Sequence, residues 1–376
     1  MKSYLELATG DIFTGTVCGG DDETSGEVVL YHSQNFHYQI LTDPVNYNRI
    51  IVSDSDFIDN RAPLFAEIES YSPHLKALVI LGELRQSPLA EIYSSLENYL
   101  TENDIALFIP DESDRLKQIL GSIGTVKGEI TSNTERQSAI SLDNLSSPPE
   151  NDPVRKLSTS LEFFWDLTDE TYFDDGHKEY VIVAYDFGLT YSTLRNLKRL
   201  GCDIRVVPAD YSPEQVIALK PEGILLAGGP GRPGQMEYAI SNISRLIGLR
   251  PILATGLGHV LLALSVGAEI EILKSPHFGN EFVVDNIGKT GMNRRYRKIR
   301  TSQSHSISIN RESLEKEGFK VTLTNRQDHS VEAFISEENL IHSYAFSLGG
   351  RDQFTTTCLK SFVACMTAHR AGAKSK

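Results

Sequence analysis

Residues 251–268 read PILATGLGHVLLALSVGA, and they join a short apolar strand to a helix through one tight turn. The run Pro251–Leu253 predicts a buried strand, and the apolar residues that follow Gly258 predict a helix. Several enzyme folds hold up a nucleophile at the apex of such a turn. The apex here is Gly256, which has no side chain. The stretch therefore predicts the backbone of an enzyme site whose central position carries no reactive group.

The alternation of strands and helices continues on the N-terminal side of this turn. The runs YVIVAYDFG, CDIRVVPAD and GILLAGGPG predict three more strands. Leucines and isoleucines recur at helical spacing between them, and Ser212, Pro213 and Gln215 form the sequence pattern of a capping box. Strands that alternate with helices at this spacing predict a parallel sheet with helices on both faces.

The first 130 residues have a different character. Runs such as LKALVILGEL and IALFIP predict buried strands, so this part is expected to be β-rich with some helix. The stretch TSNTERQSAISLDNLSSPPENDP is rich in Ser, Asn, Pro and charge, which is typical of a connection. We therefore predict one domain over residues 1–130, a connection over 131–177 and a second domain over 178–376.

Composition excludes several classes of function. The net charge of −14 argues against a nucleic-acid-binding protein. The four cysteines form no CxxC pair, so a zinc ribbon or a redox dithiol has no support, and neither metal nor cofactor is expected. The N-terminus carries no signal pattern, and no window approaches the roughly 18 apolar residues of a membrane helix. A cytoplasmic protein that binds no membrane is predicted.

The order of VAYDFG, RNLKRLGCDIRVVPA, GILLAGGPG and LGHVLLALSVGA resembles the small, glutamine-hydrolysing subunit of carbamoyl phosphate synthetase. Nearer the N-terminus, GEVVLYHS and ILTDPVNY look like that family's own N-terminal domain. The resemblance implies an α/β fold in which an N-terminal β-rich α/β domain precedes a class I amidotransferase-like parallel sheet. It also implies a large synthetase subunit as partner, in pyrimidine and arginine biosynthesis.

The resemblance implies a cysteine nucleophile, a histidine base and a glutamate that orients the base. The family pattern G-I-C-L-G-H-Q is matched here by ATGLGHV, so Gly256 stands at the cysteine position. The pattern Q-x-H-P-E is matched by SYAFS, so Ala345 stands at the histidine position and Ser347 at the glutamate position. We therefore expect no catalytic residue at this degenerate site.

Part of the family's ligand pocket remains in the sequence. The resemblance implies that the turn GGPG, residues 228–231, supplies the oxyanion hole, and Ser33 matches a serine that binds glutamine. The family's Q-N-H-G-F is changed here to QSHSI, which keeps its glutamine as Gln303. The candidates for a residual ligand pocket are Ser33, Gly229, Gly231, Leu257, His259 and Gln303.

Three functions are compatible with these residues. The first is a pseudo-glutaminase that acts as a structural or regulatory subunit of an ammonia-using synthetase. The second is a repurposed binding or scaffold protein without catalysis. The third is a glutamine-hydrolysing small subunit that works through Thr255 or His259, although His259 also fits a structural core histidine. His342 lies three residues before Ala345, and on a strand this odd offset points it to the opposite face.

Overall fold

The computed structural model describes residues 2–20, 23–132, 152–166, 180–288 and 297–374, which pack as two compact units. The described residues of 1–151 and of 274–280 form the first unit. Those of 152–273 and of 281–376 form the second unit. Each unit buries apolar cores of its own. The domain boundaries predicted at residues 130 and 178 stay a prediction.

The first unit is β-rich, as its apolar runs predict. In chain order it contains β1 (Lys2–Leu7), β2 (Ile12–Cys18), β3 (Thr24–Tyr31), α1 (Gln39–Thr42), β4 (Arg49–Ser53), β5 (Phe57–Asn60), β6 (Ala77–Ile80), β7 (Glu83–Gln86), α2 (Ala90–Tyr93), α3 (Leu96–Glu102), β8 (Ala106–Pro110), α4 (Ser113–Ile123) and β9 (Val126–Thr131). Strands β1, β2, β8, β6, β4, β3 and β9 close into a barrel in that order, and β5 pairs with β7. A closed barrel leaves no strand edge unpaired in this part of the unit.

The second unit alternates strands and helices before it turns to consecutive strands. In chain order it contains α5 (Pro153–Leu157), β10 (Phe163–Trp165), β11 (Tyr180–Tyr185), α6 (Tyr191–Lys198), β12 (Cys202–Val207), α7 (Pro213–Ala218), β13 (Gly223–Leu226), α8 (Glu237–Leu246), β14 (Ile252–Thr255), α9 (Leu257–Ser265), β15 (Ile270–Asn286), β16 (Lys298–Ile309), α10 (Arg311–Lys316), β17 (Lys320–Asn325), β18 (Val331–Ser336), β19 (Ile341–Tyr344) and α11 (Gln353–Lys374). Residues 274–280 of β15 belong to the first unit.

One sheet runs through the second unit in the order β10, β12, β11, β13, β14, β19, β18, β17, β15, β16. Strands β12, β11, β13, β14 and β19 pair in parallel, which confirms the predicted parallel sheet. The pairs from β19 through β18 and β17 to β15 are antiparallel and extend that sheet. The parallel part brings the carboxyl ends of β13, β14 and β19 to one edge, which is where open α/β sheets place ligands.

Helices cover both faces of this sheet, as predicted. Helices α8 and α9 bury their apolar residues in one core, and α6 and α11 bury theirs in the other. Every residue of α9 from Leu257 to Ala263 is buried, because the helix lies within the unit and is apolar all round. The predicted capping box of Ser212 and Gln215 begins α7. Within the described residues, no helix is long and apolar enough to cross a membrane.

The predicted connection contributes two elements to the second unit. Helix α5 lies within the predicted connection. Strand β10 also lies within it and pairs antiparallel with β12, with Phe163 opposite Val206. The apolar run FFW fits a sheet edge in spite of its polar surroundings in the sequence. Residues 133–151 and 167–177 of the predicted connection lie outside the described residues.

Candidate functional site

Strand β14 passes into helix α9 through Gly256, at the carboxyl edge of the sheet. Gly256 adopts φ +51° and ψ −118°, a conformation that residues with a side chain rarely adopt. Its backbone amide donates a hydrogen bond of 3.0 Å to the carbonyl oxygen of Tyr344. A Cβ atom added to Gly256 would lie 3.1 Å from the Cα of Gly228. The elbow therefore keeps a tight turn that suits glycine, with little room for a side chain.

The position that the resemblance assigns to the base lies next to this elbow. Strands β14 and β19 pair with Thr255 opposite Tyr344, and Ala345 is the next residue along the chain. The amide of Ala345 donates a 2.8 Å hydrogen bond to the backbone carbonyl oxygen of Glu332. Ala345 is buried, and it offers only a methyl group. The fold thus brings positions 256 and 345 together, but neither side chain could take part in proton transfer.

The two neighbours of this position that could carry chemistry are directed elsewhere. Ser347 is exposed, and its hydroxyl accepts a 3.2 Å hydrogen bond from the amide of Gly349. His342 lines a groove beside α11, which packs on the face opposite to α9. Neither residue lies at the position that the resemblance assigns to a histidine, which is Ala345 here.

The glycine-rich turn after β13 packs directly against the elbow. A Cβ atom on Gly229 would collide with the backbone carbonyl oxygen of Phe187, so this position requires glycine. The amide of Gly258 in α9 donates a 2.9 Å hydrogen bond to the carbonyl oxygen of Ala227. Gly231 also lies in this turn, where an added Cβ atom would meet Pro153 at 3.3 Å. The backbone expected for an oxyanion hole is therefore held by contacts that do not involve a catalytic side chain.

Leu257 and His259 are core residues of α9. Leu257 is 7% exposed and His259 is 1% exposed. The Nδ1 atom of His259 lies 2.8 Å from the hydroxyl oxygen of Ser343, and its ring centroid lies 4.9 Å from that of Phe334. Burial lowers the pKa of His259 to about 3, and the nearby His305 acts in the same direction. A neutral imidazole packed in this way fits a structural role.

Gln303 lies in a buried polar cluster that the sequence did not identify. Its side-chain amide donates a 3.0 Å hydrogen bond to the hydroxyl of Thr301. The carboxyl group of Glu332, in β18, accepts a 2.9 Å hydrogen bond from the side-chain amide of Asn325. Burial raises the pKa of Glu332 to about 8, although hydrogen bonds from Asn325 and Gln303 act to lower it. A glutamate within the apolar run VEAFIS was the signal for this cluster in the sequence.

Ser33 belongs to the first unit and follows β3. Its amide donates a 2.9 Å hydrogen bond to a carboxylate oxygen of Asp54, and its carbonyl oxygen accepts one of 3.1 Å from the hydroxyl of Ser55. Its hydroxyl donates to the carbonyl oxygen of Asn35. Since Ser33 is 5% exposed, these contacts hold it as a buried polar residue of its loop.

Two family models match the chain. The carbamoyl-phosphate synthase small chain, CPSase domain, matches residues 5–130, and the class-I glutamine amidotransferase matches residues 183–346. A carbamoyl phosphate synthase small chain of Syntrophotalea carbinolica is 31% identical over 341 residues, 88% of each chain. An arginine-specific carbamoyl phosphate synthase small chain of Geobacillus stearothermophilus is 32% identical over 348 residues, 92% of each chain. The chain belongs to the carbamoyl phosphate synthase small-chain family.

A solved structure of a glutamine amidotransferase of Thermotoga maritima also aligns, with a TM-score of 0.36 and 13% identity. The alignment covers 52% of this chain and 86% of the Thermotoga maritima chain.

In this member of the carbamoyl phosphate synthase small-chain family, the strand-turn-helix elbow is present and its apex is a glycine. The strand, the turn and the helix are joined as in an enzyme that presents a nucleophile. Attack on an amide requires a thiol or hydroxyl, and its activation requires a base within hydrogen-bond reach. Position 256 has no side chain, and position 345 has a methyl group. What the arrangement still offers is backbone amides at the glycine-rich turn.

Proposed function

We propose that this chain is a carbamoyl phosphate synthase small chain without glutaminase activity, and that it serves as a structural or regulatory subunit of a synthetase that uses ammonia. One observation carries the proposal: Gly256 occupies the elbow, and Ala345 lies beside it across the pair of β14 and β19. The nucleophile and the base are both absent from the two positions where the family has them. Ammonia then has to reach the large subunit from solution.

The size of the chemical deficit supports this conclusion. Loss of a single member of a catalytic triad lowers the rate by about 10⁴-fold or more. Here the side chains of all three members are replaced, by Gly256, Ala345 and Ser347. The backbone amides that remain act only on an intermediate that a nucleophile has already formed. Glutamine hydrolysis at this elbow is therefore expected to equal the uncatalysed background.

The retained architecture favours a subunit over a degraded remnant. The elbow helix α9 is buried along most of its length, and the amides of Gly256 and Gly258 make backbone hydrogen bonds to neighbouring elements. These contacts stabilise the second unit whether or not a nucleophile is present. A protein that keeps its fold can keep a docking surface after its chemistry has gone. By family relationship the partner is the large subunit of carbamoyl phosphate synthetase.

The direct experiment mixes the purified chain with the large subunit of its own organism and measures carbamoyl phosphate formation. We expect a stable complex by size-exclusion chromatography, synthesis with ammonia and none with glutamine. Synthesis from glutamine by the unaltered chain would contradict the loss of glutaminase activity. Absence of a complex would instead favour a repurposed scaffold protein.

Substitutions at the elbow test the same proposal through the rate of glutamine hydrolysis. Gly256→Cys alone is expected to leave glutamine hydrolysis at background, because Ala345 supplies no base. The variant Gly256→Ser is the matched control for backbone strain at this position. Combining Gly256→Cys with Ala345→His and Ser347→Glu restores the three side chains that the family pattern has at these positions. Hydrolysis above that of the single variant would show that the elbow backbone still suits the reaction.

A further inference from the structure

A groove of about 370 Å³ opens on the face of the second unit that carries α11. Strands β17, β18 and β19 form its floor, and one side of α11 forms its wall. Cavities of this volume are at the lower end of the range for small-molecule sites. The elbow helix α9 packs in the core of the opposite face, so the groove is separate from the site described above.

The groove follows from the spacing of its lining residues. Phe354, Cys358, Ser361 and Cys365 recur along α11 at the spacing of one helical face. On the floor, Ile335 of β18 pairs with His342 of β19. The result is a mostly apolar slot between a helix and a sheet, whose lining suits an apolar ring.

His342 supplies a polar group in this slot. Its Nδ1 atom is buried and has no hydrogen-bond partner among the described residues. Burial lowers the pKa of His342, so the ring is neutral at neutral pH and repels no cation. Tyr344, the other large polar side chain of the floor, already makes a side-chain hydrogen bond with Cys358. His342 therefore brings an unpartnered polar atom to the floor of the groove, with hydrogen-bonding capacity to offer a ligand.

Glu337 sets the charge at the mouth of the groove. Its side chain is exposed, and it belongs to the turn between β18 and β19. No Lys or Arg is among the lining residues in the described part of the chain. A carboxylate without a neighbouring cation in the lining favours positively charged ligands over negatively charged ones.

We propose that this groove binds a small aromatic amine, with its ring in the slot, a hydrogen bond to His342 and its ammonium group near Glu337. This inference is independent of the proposed function, since none of its residues belongs to the elbow. The apolar lining selects the ring, and the single carboxylate selects the charge.

Tryptamine is a suitable probe, because it combines an indole ring with an ammonium group, and indole-3-acetate is its negatively charged counterpart. The readout is alkylation of Cys365 by iodoacetamide in the full chain, followed by mass spectrometry. Cys365 is half-buried and lines the groove, whereas the half-buried Cys18 lies in the first unit and serves as an internal control. Saturating tryptamine is expected to slow alkylation of Cys365 by about fivefold or more, because thiol reactivity follows access. Cys18 should react unchanged, and indole-3-acetate should protect Cys365 far less.

Two variants of α11 test the location by calorimetry. Ser361→Trp fills the groove and is expected to abolish tryptamine binding, while Ala364→Trp on the exposed face of the same helix should leave it intact. Should Ser361→Trp fail to fold by circular dichroism, His342→Leu provides the test, with an expected loss in affinity of about threefold or more. Absence of Cys365 protection, equal protection by indole-3-acetate, or unchanged binding by His342→Leu would overturn the proposal.

Discussion

The backbone amide of Gly256 donates a hydrogen bond of 3.0 Å to the carbonyl oxygen of Tyr344, the residue that precedes Ala345. This bond holds the nucleophile and base positions of the family side by side at the ends of β14 and β19. Both atoms belong to the backbone, so the bond does not depend on which side chains stand at positions 256 and 345. For this reason the backbone of the elbow can form with glycine at position 256 and alanine at position 345.

Crowding at the elbow can be separated from backbone strain. Gly256→Ala places a Cβ atom 3.1 Å from Gly228 at φ +51°, and we expect the free energy of unfolding to fall by about 2 kcal/mol. Gly248→Ala, at φ +78° in open space, is the control for strain and should lose about 1 kcal/mol. Urea unfolding followed by fluorescence of the single tryptophan, Trp165 of the second unit, measures both. Equal losses would contradict the role of the Gly228 contact.

The glycine-rich turn offers two neighbouring positions, Gly228 and Gly229, at which an added Cβ atom meets very different surroundings. Gly229→Ala drives a Cβ atom into the carbonyl oxygen of Phe187, and we expect a loss of about 3 kcal/mol in the same assay. The neighbouring Gly228→Ala meets nothing closer than 3.9 Å and should change stability by about 0.5 kcal/mol at most. Similar losses for the two variants would mean that the close approach to Phe187 does not restrict position 229.

Glu332 makes stability depend on pH between about 4.5 and 8. Its pKa is raised from 4.5 to about 8 by burial, so the folded state binds a proton that the unfolded state releases in this range. Its contribution to the free energy of unfolding is therefore greatest below pH 4.5 and declines as pH rises towards 8. Glu332→Gln should remove this decline, whereas Glu338→Gln, an exposed neighbour, should keep it. Urea titrations at several pH values supply the measurement, and an unchanged slope in Glu332→Gln would refute the assignment.

His259 makes the free energy of unfolding depend on pH below about 6.5. Its pKa is lowered from 6.5 to about 3, so the unfolded state binds more protons and stability is lost as pH falls from 6.5 towards 3. His259→Leu should lower the free energy of unfolding at pH 7 by about 1–3 kcal/mol, since Ser343 loses its partner. The same variant should also weaken the fall in the free energy of unfolding between pH 6.5 and pH 3, which urea titrations at several pH values measure. Ser343→Ala is the matched variant, which removes the hydrogen bond and keeps the titrating ring, so it should retain the acid dependence.

Much of the architecture could be predicted from the sequence, because local patterns carry it. Apolar runs of strand length, helical spacing between them and the capping box at Ser212 together predict the parallel sheet with helices on both faces. The expectation of a degenerate site also comes from local sequence, since ATGLGHV and SYAFS lack a cysteine and a histidine at the positions that the resemblance matches, and it stays a prediction. These features depend on residues that are neighbours along the chain.

The tertiary structure alone decided which distant residues meet. Strand β19 pairs with β14 although β15 to β18 lie between them in the chain, and this pairing sets Ala345 beside Gly256. The cluster of Glu332 with Gln303 also depends on residues far apart in the chain, and so does the pairing of β10 with β12 at the sheet edge. Local periodicity records which face of an element is buried, but it does not record the partner that buries it. Partner choice and the burial of polar groups are settled only when strands far apart in sequence pack together.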